Sequence, residues 1–173
     1  MMSAERASKN VDAIYRAIGR FIVGYSDVEQ TIRILLAMEL RLRTDLHDPI
    51  LTHDFALLCT AFLKVFEGTV GDKNEYEGLR KLINKCRELN DLRVKVVHGG
   101  WGLDSEGGHL SHVSRRNLQS GGFVKVKDLL EKKADEAVEI QDQLEMFFHA
   151  HSKQKKARRE RRRKIAAIGR LFG

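Results

Sequence analysis

The feature that most constrains this chain is a near absence. Its 173 residues include one proline, Pro49, and long stretches on either side carry apolar residues three and four positions apart. Proline disrupts a helix interior, so its rarity, together with few strand-like runs, predicts an α-rich fold. Residues 9–43 are the clearest case. Ile14, Phe21, Val28 and Leu35 recur every seven positions, with Ile18, Tyr25 and Ile32 each four residues on. A seam sustained over that many turns marks a packed helix. Gly19 and Gly24 weaken it by roughly 1 kcal/mol each relative to alanine, a cost that close approach of a second helix, or a bend near Gly24, would offset.

The remaining elements follow from the same arithmetic. Thr44–Asp48 and Pro49 predict a connection. A second helix runs from about His53 to Val70, capped by Thr52 or Asp54 and ended by Gly71. Phe55, Leu58, Cys59, Phe62, Leu63, Val65 and Phe66 make it apolar on two faces, as at a bundle centre or a dimer seam. Asp72 caps a third helix, Lys73–His98. Residues 99–126 then hold seven of the fourteen glycines, and their short apolar runs predict two or three strands joined by turns at 104–108 and 119–122. The glycine spacing matches no phosphate-binding loop. A last helix starts near Lys127 or Asp128 and buries Leu129, Leu130, Ala134, Ala137, Val138, Gln141, Leu144, Phe147 and Phe148. The expected fold is all-α: an up-and-down bundle of about four helices, with a small β-hairpin insertion before the last helix. Residues 1–152 form the domain, with the hairpin at about 99–126. Residues 153–173 form a basic C-terminal helical extension.

Charge divides the chain at the same place. Residues 153–173 hold ten Lys or Arg and one Glu, +9, so the first 152 residues carry −2 of the formal +7. Lys155, Lys156, Arg158, Arg159, Arg161, Arg162, Arg163 and Lys164 would surround a helix with cations and no aromatic residue among them. That composition grips phosphate backbones without reading bases, so RNA or another nucleic acid is the expected partner. The apolar tip around Ile165, Ile168, Leu171 and Phe172 leaves an anionic membrane surface or a protein partner open. No apolar run approaches 18 residues, so no transmembrane segment is expected, nor is there a hydrophobic signal-peptide core. Cys59 and Cys86 lie far apart on apolar stripes, as reduced thiols of a cytoplasmic protein do. His109, His112, His149 and His151 lack companions at ligand spacing and are expected on the surface, with no metal and no cofactor.

The third helix ends in the most specific stretch, from Arg87 to Trp101. Leu79, Leu82, Ile83, Cys86, Leu89, Val96 and Val97 share one arc of its wheel, and Asn90 and Arg93 fall inside that arc. A guanidinium in an apolar seam is costly unless paired, so either the seam opens onto a wet cleft or Arg93 meets a partner, including one across a subunit interface. His98 occupies the final turn, where free carbonyls favour imidazolium. Gly99 or Gly100 would supply the left-handed residue that ends the helix.

Arg93, four residues, His98 and then Gly99-Gly100-Trp101 at a helix end resemble the HEPN family of nucleotide-binding helical domains, over about residues 8–150. Val94 stands where that family usually has a polar residue. The resemblance implies a metal-independent endoribonuclease acting on single-stranded RNA, with a composite site at the interface of a homodimer. It implies a cytoplasmic toxin or defence protein with an antitoxin-like protein partner. His98 would act as general base on a ribose 2′-hydroxyl or as acid toward the leaving 5′-oxygen. Arg93 would stabilise phosphoryl charge, leaving a 2′,3′-cyclic phosphate and a 5′-hydroxyl. Asn90 would orient either group, and Lys95 and Arg87 would steer the backbone. Glu29 is the acidic residue expected to hold Arg93, with Asp27 and Glu39 as alternatives. The other reading is a non-catalytic dimeric bundle of the same type, which binds nucleic acid or a protein partner through its basic arm.

Overall fold

A computed structural model of the chain describes residues 4–102, 108–113 and 120–171. Four long helices form a bundle: α1 (Ala4–Leu40), α3 (Phe55–Glu67), α4 (Lys73–His98) and α5 (Val126–Leu171). A 3₁₀ turn (Thr44–Leu46) and the single-turn α2 (His47–Ile50) link the first two. Ahead of α5 stand three antiparallel strands in the order β1 (Gly100–Gly102), β2 (His109–Val113), β3 (Ser120–Val124). The expected turn at 104–107 lies outside the described residues, as does Gln119; Ser120, Gly121 and Gly122, expected within the second turn, belong instead to β3 and pair with β2.

Directions within the bundle come from the contacts. Arg20 pairs with Asp135 and Glu39 with Lys155, so α1 and α5 advance together. Tyr76 bonds to Leu63 and Arg87 to Thr60, so α4 runs back against α3. The connection between α1 and α3 carries the chain back along the bundle, and Leu51 within it is buried. Pro49 sits inside α2 rather than breaking it, because the first turn of a helix has no internal use for the missing N–H.

The α1 seam is the core. Ile14, Phe21, Val28 and Ile32 are fully buried, and Tyr25 and Leu35 nearly so, with Ile18 packed partly against them. At Gly24 an added Cβ would lie 3.3 Å from Ala137 Cβ, so the glycine lets α1 and α5 meet closely. Phe55, Leu58, Cys59, Phe62 and Phe66 of α3 are buried against both neighbours; Phe66 also meets Phe147 and Phe148 of α5. The width of the α3 apolar surface is thus that of a bundle centre. Asp54 caps α3 by accepting from Leu57 N–H, and Asp72 caps α4 by accepting from Asn74 and Glu75.

Four local readings are corrected. On α5, Val138 is exposed, and Ile140 is buried in the core instead. Helix α3 stops at Glu67, with Gly68 and not Gly71 at its end. On α4, Leu92 is buried and Val97 is half exposed, because the helix turns its last residues from the bundle toward the sheet. Gly99 is extended (φ −84°, ψ 162°) instead of left-handed. Its role is space: an added Cβ would sit 2.5 Å from Leu110 Cδ1 and from Lys95 O, so the sheet packs directly on the helix end.

Candidate functional site

Two regions collect the predicted residues: the C-terminal turns of α4 and the basic half of α5. In the first, Tyr25 is the hub. Its hydroxyl donates to Asn90 Oδ1 at 2.8 Å, its ring lies 5.3 Å from that of Phe55, and the Arg93 guanidinium stacks over it at 5.9 Å. Burial, followed by the neighbouring Glu29 carboxylate, holds the Tyr25 hydroxyl well above its ordinary range, with Arg93 opposing.

Glu29 does not serve Arg93. Its Oε1 accepts from Arg33 Nη2 at 2.8 Å, one turn along α1, and Arg33 Nη1 donates to the Thr52 carbonyl at 2.7 Å. The i,i+4 spacing sets Arg33 beside Glu29 on one face of α1, and the buried Arg33 staples the return connection to α1. Arg93 therefore remains a half-buried cation that makes no ion pair among the described residues. Of the alternatives for holding it, Asp27 is exposed and Glu39 is engaged with Lys155 at the far end of α1.

His98 lies exposed in the last turn of α4. It stands five positions after Arg93, which on a helix means about 7.5 Å of rise and about 140° of rotation. Within one chain the two side chains leave the helix in different directions. The supporting cations are also occupied: Lys95 Nζ lies 5.4 Å from the Phe123 ring centroid, and Arg87 bonds to Asn84 and to Thr60 of α3. Trp101 anchors the sheet here, its indole Nε1 donating to the Val96 carbonyl at 2.9 Å and satisfying one of the free C-terminal carbonyls.

In the second region α5 runs as one helix from the bundle through the basic stretch to Leu171, so the arm continues the core helix. Lys155 pairs with the buried Glu39, and the Arg158 guanidinium rests where a Cβ on Gly71 would lie, at the turn before α4. Lys156, Arg159, Arg161 and Arg163 are exposed; the side chains of Arg162, Lys164 and the apolar tip lie outside the described residues.

His151 overturns the expectation of surface histidines. It is 2% exposed, stacked on Phe147 and edge-on to Phe66, with Nε2 3.7 Å from Glu39 Oε2 and no hydrogen-bond partner. Buried Glu39 and His151, with the partly exposed Lys155, form a polar knot at the root of the arm. Sequence reasoning missed it because it joins residues over a hundred positions apart; the one local sign was His151 standing four residues after Phe147. Arg33 was missed too, although its spacing from Glu29 signals an intrahelical pair. Cys59 and Cys86 are buried free thiols, pushed up by burial to about 11 and about 12. Among the described residues no three His, Cys, Asp or Glu gather as metal ligands, and no helix is long and apolar enough to cross a membrane. Comparison of the chain with protein-family models, with curated proteins and with solved structures gives no match.

Proposed function

We propose that this protein is an RNA-binding helical bundle that holds the phosphate backbone along the basic second half of α5. The observation that carries the reading is the segregation of charge along a helix rooted in the core: the last 21 residues carry +9 and the first 152 carry −2. A rigid rod of cations neutralises phosphates on several azimuths without consulting the bases. Such a role places the protein in the cytoplasm, in keeping with its two unpaired thiols. Fluorescence anisotropy of labelled single-stranded RNA is the test. Binding that ignores base sequence and falls linearly in log K against log salt supports the reading; no binding at low salt refutes it.

A second reading, a HEPN-type endoribonuclease acting as a homodimer, is favoured by Arg93, a half-buried cation with no acidic partner among the described residues, on the same helix as an exposed His98. Because the two diverge within one chain, the site would be composite, completed by a second copy. There His98 of one copy takes the 2′-hydroxyl proton, the 2′-oxygen bonds to the adjacent phosphorus, the P–O5′ bond breaks, and the leaving 5′-oxygen receives a proton from the protonated His98 of the second copy, ending as a hydroxyl. Arg93 balances the phosphoryl charge. Cleavage of RNA in chelator that disappears in both His98→Ala and Arg93→Ala supports this reading. RNA retained intact by the wild type leaves the binding role alone.

A further inference from the structure

We infer that the basic helix does not hold RNA unaided: one phosphate is clamped in the cleft between the end of α1 and α5, with Arg41 as the jaw contributed by the body of the protein. The inference rests on the RNA-binding reading above. The cleft has a volume of about 290 Å³, and Arg41, Lys156 and Arg159 supply its cationic lining. All three are exposed, and among the described residues none has an acidic partner in an ion pair. The one carboxylate at the site, Glu39, is neutralised by Lys155, so it does not cancel the field of the other three. Three like charges converging without a counter-charge repel one another, and a bound phosphate relieves that repulsion.

A second observation concerns the backbone. Helix α1 ends in a two-bond cap, Leu42 N–H to Ala37 O at 2.9 Å and Arg41 N–H to Met38 O at 3.2 Å. Arg41 takes the left-handed position of that cap, at φ 58°, where glycine is the usual occupant. An arginine is strained there. A strained, non-glycine residue whose side chain lines a cationic cleft points to the side chain as the reason for its presence. Met38 and Phe148 give the cleft an apolar flank beside the cations, which fits the ribose or base next to a bound phosphate.

The experiment uses the full chain, with Arg41→Gly and Arg41→Ala compared against Lys81→Ala, an equal loss of charge at an exposed site on α4. Anisotropy with labelled single-stranded RNA is read across a salt series, and Tm is measured for each variant. Arg41→Gly is expected to bind about tenfold more weakly, with a salt slope shallower by about 0.7. Its Tm should be at or above that of the wild type, because glycine relaxes the cap. Lys81→Ala should bind as the wild type does. Arg41 variants that bind RNA like Lys81→Ala overturn the clamp while RNA binding stands. Wild-type protein that binds no RNA removes the reading beneath it and the clamp together. Arg41 variants that lose binding to phosphatidylserine vesicles but keep RNA affinity overturn the clamp in favour of a lipid surface.

Discussion

The partner of Glu29 can be measured directly. Arg33 keeps 9% of its side-chain surface and Glu29 26%, with 2.8 Å between donor and acceptor. At an effective dielectric near 20, two unit charges about 4 Å apart attract by about 4 kcal/mol, most of it offset by desolvation. A charge-assisted hydrogen bond nets about 1.5–3 kcal/mol, and partial exposure of Glu29 puts this pair at the lower end. Arg33→Met should cost about 3 kcal/mol, because it also leaves the Thr52 carbonyl and the Glu29 carboxylate short of a donor. Urea unfolding followed by circular dichroism, run as double-mutant cycles with Glu29→Gln, would give a coupling of about 1.5–2 kcal/mol to Arg33 and below about 0.5 kcal/mol to Arg93→Met. A larger coupling to Arg93 would refute the assignment, and with it the view of Arg93 as a cation lacking an acidic partner.

Other perturbations follow from the same geometry. Gly99→Ala should destabilise the fold by about 1–3 kcal/mol in urea, since the new methyl meets Leu110 and the Lys95 and Ser111 carbonyls. Trp101→Phe should cost about 1 kcal/mol through the lost bond to Val96 O and raise hydrogen exchange in β1–β3 ahead of the bundle. His151→Phe removes a buried nitrogen without a partner, so its midpoint should stay within about 1 kcal/mol of the wild type or exceed it. Alkaline pH should unfold the protein. Cys59 and Cys86 have folded-state pKa values raised from 9.0 to about 11 and about 12, so their stabilisation is full below about pH 9 and is lost as pH rises through that window. Two units correspond to about 3 kcal/mol for Cys59 alone. Stability that stays flat from pH 8 to 11 would mean that the thiols are hydrated.

Repeating patterns carried most of the fold. The α1 seam from Ile14 to Leu35, the Asp72 cap and the bounds Lys73–His98 depend on neighbours within a few residues, and helical period alone places them. Arg33 with Glu29 was also within reach of that logic, as an i,i+4 pair. What escaped was contact over long separations. Nothing near His151 announces Glu39, and nothing near Gly99 announces that Leu110 will press against it. Arg93 and Asn90 were legible as polar residues in an apolar seam, but only packing shows that Tyr25 gathers both while His98 turns away. The basic stretch was plain from composition; that it continues α5 without a break depends on the absence of any residue that would stop the helix.

The most direct test of the central claim compares the wild type with a variant in which Lys156, Arg158, Arg159, Arg161 and Arg163 are changed to Gln. Both bind labelled single-stranded RNA at several salt concentrations, after circular dichroism confirms equal helix content. The account predicts wild-type binding with a log–log salt slope of about −4, as six backbone contacts would give, and a slope near about −1 with little affinity left in the variant. Equal binding by the two proteins, or wild-type binding indifferent to salt, would contradict it.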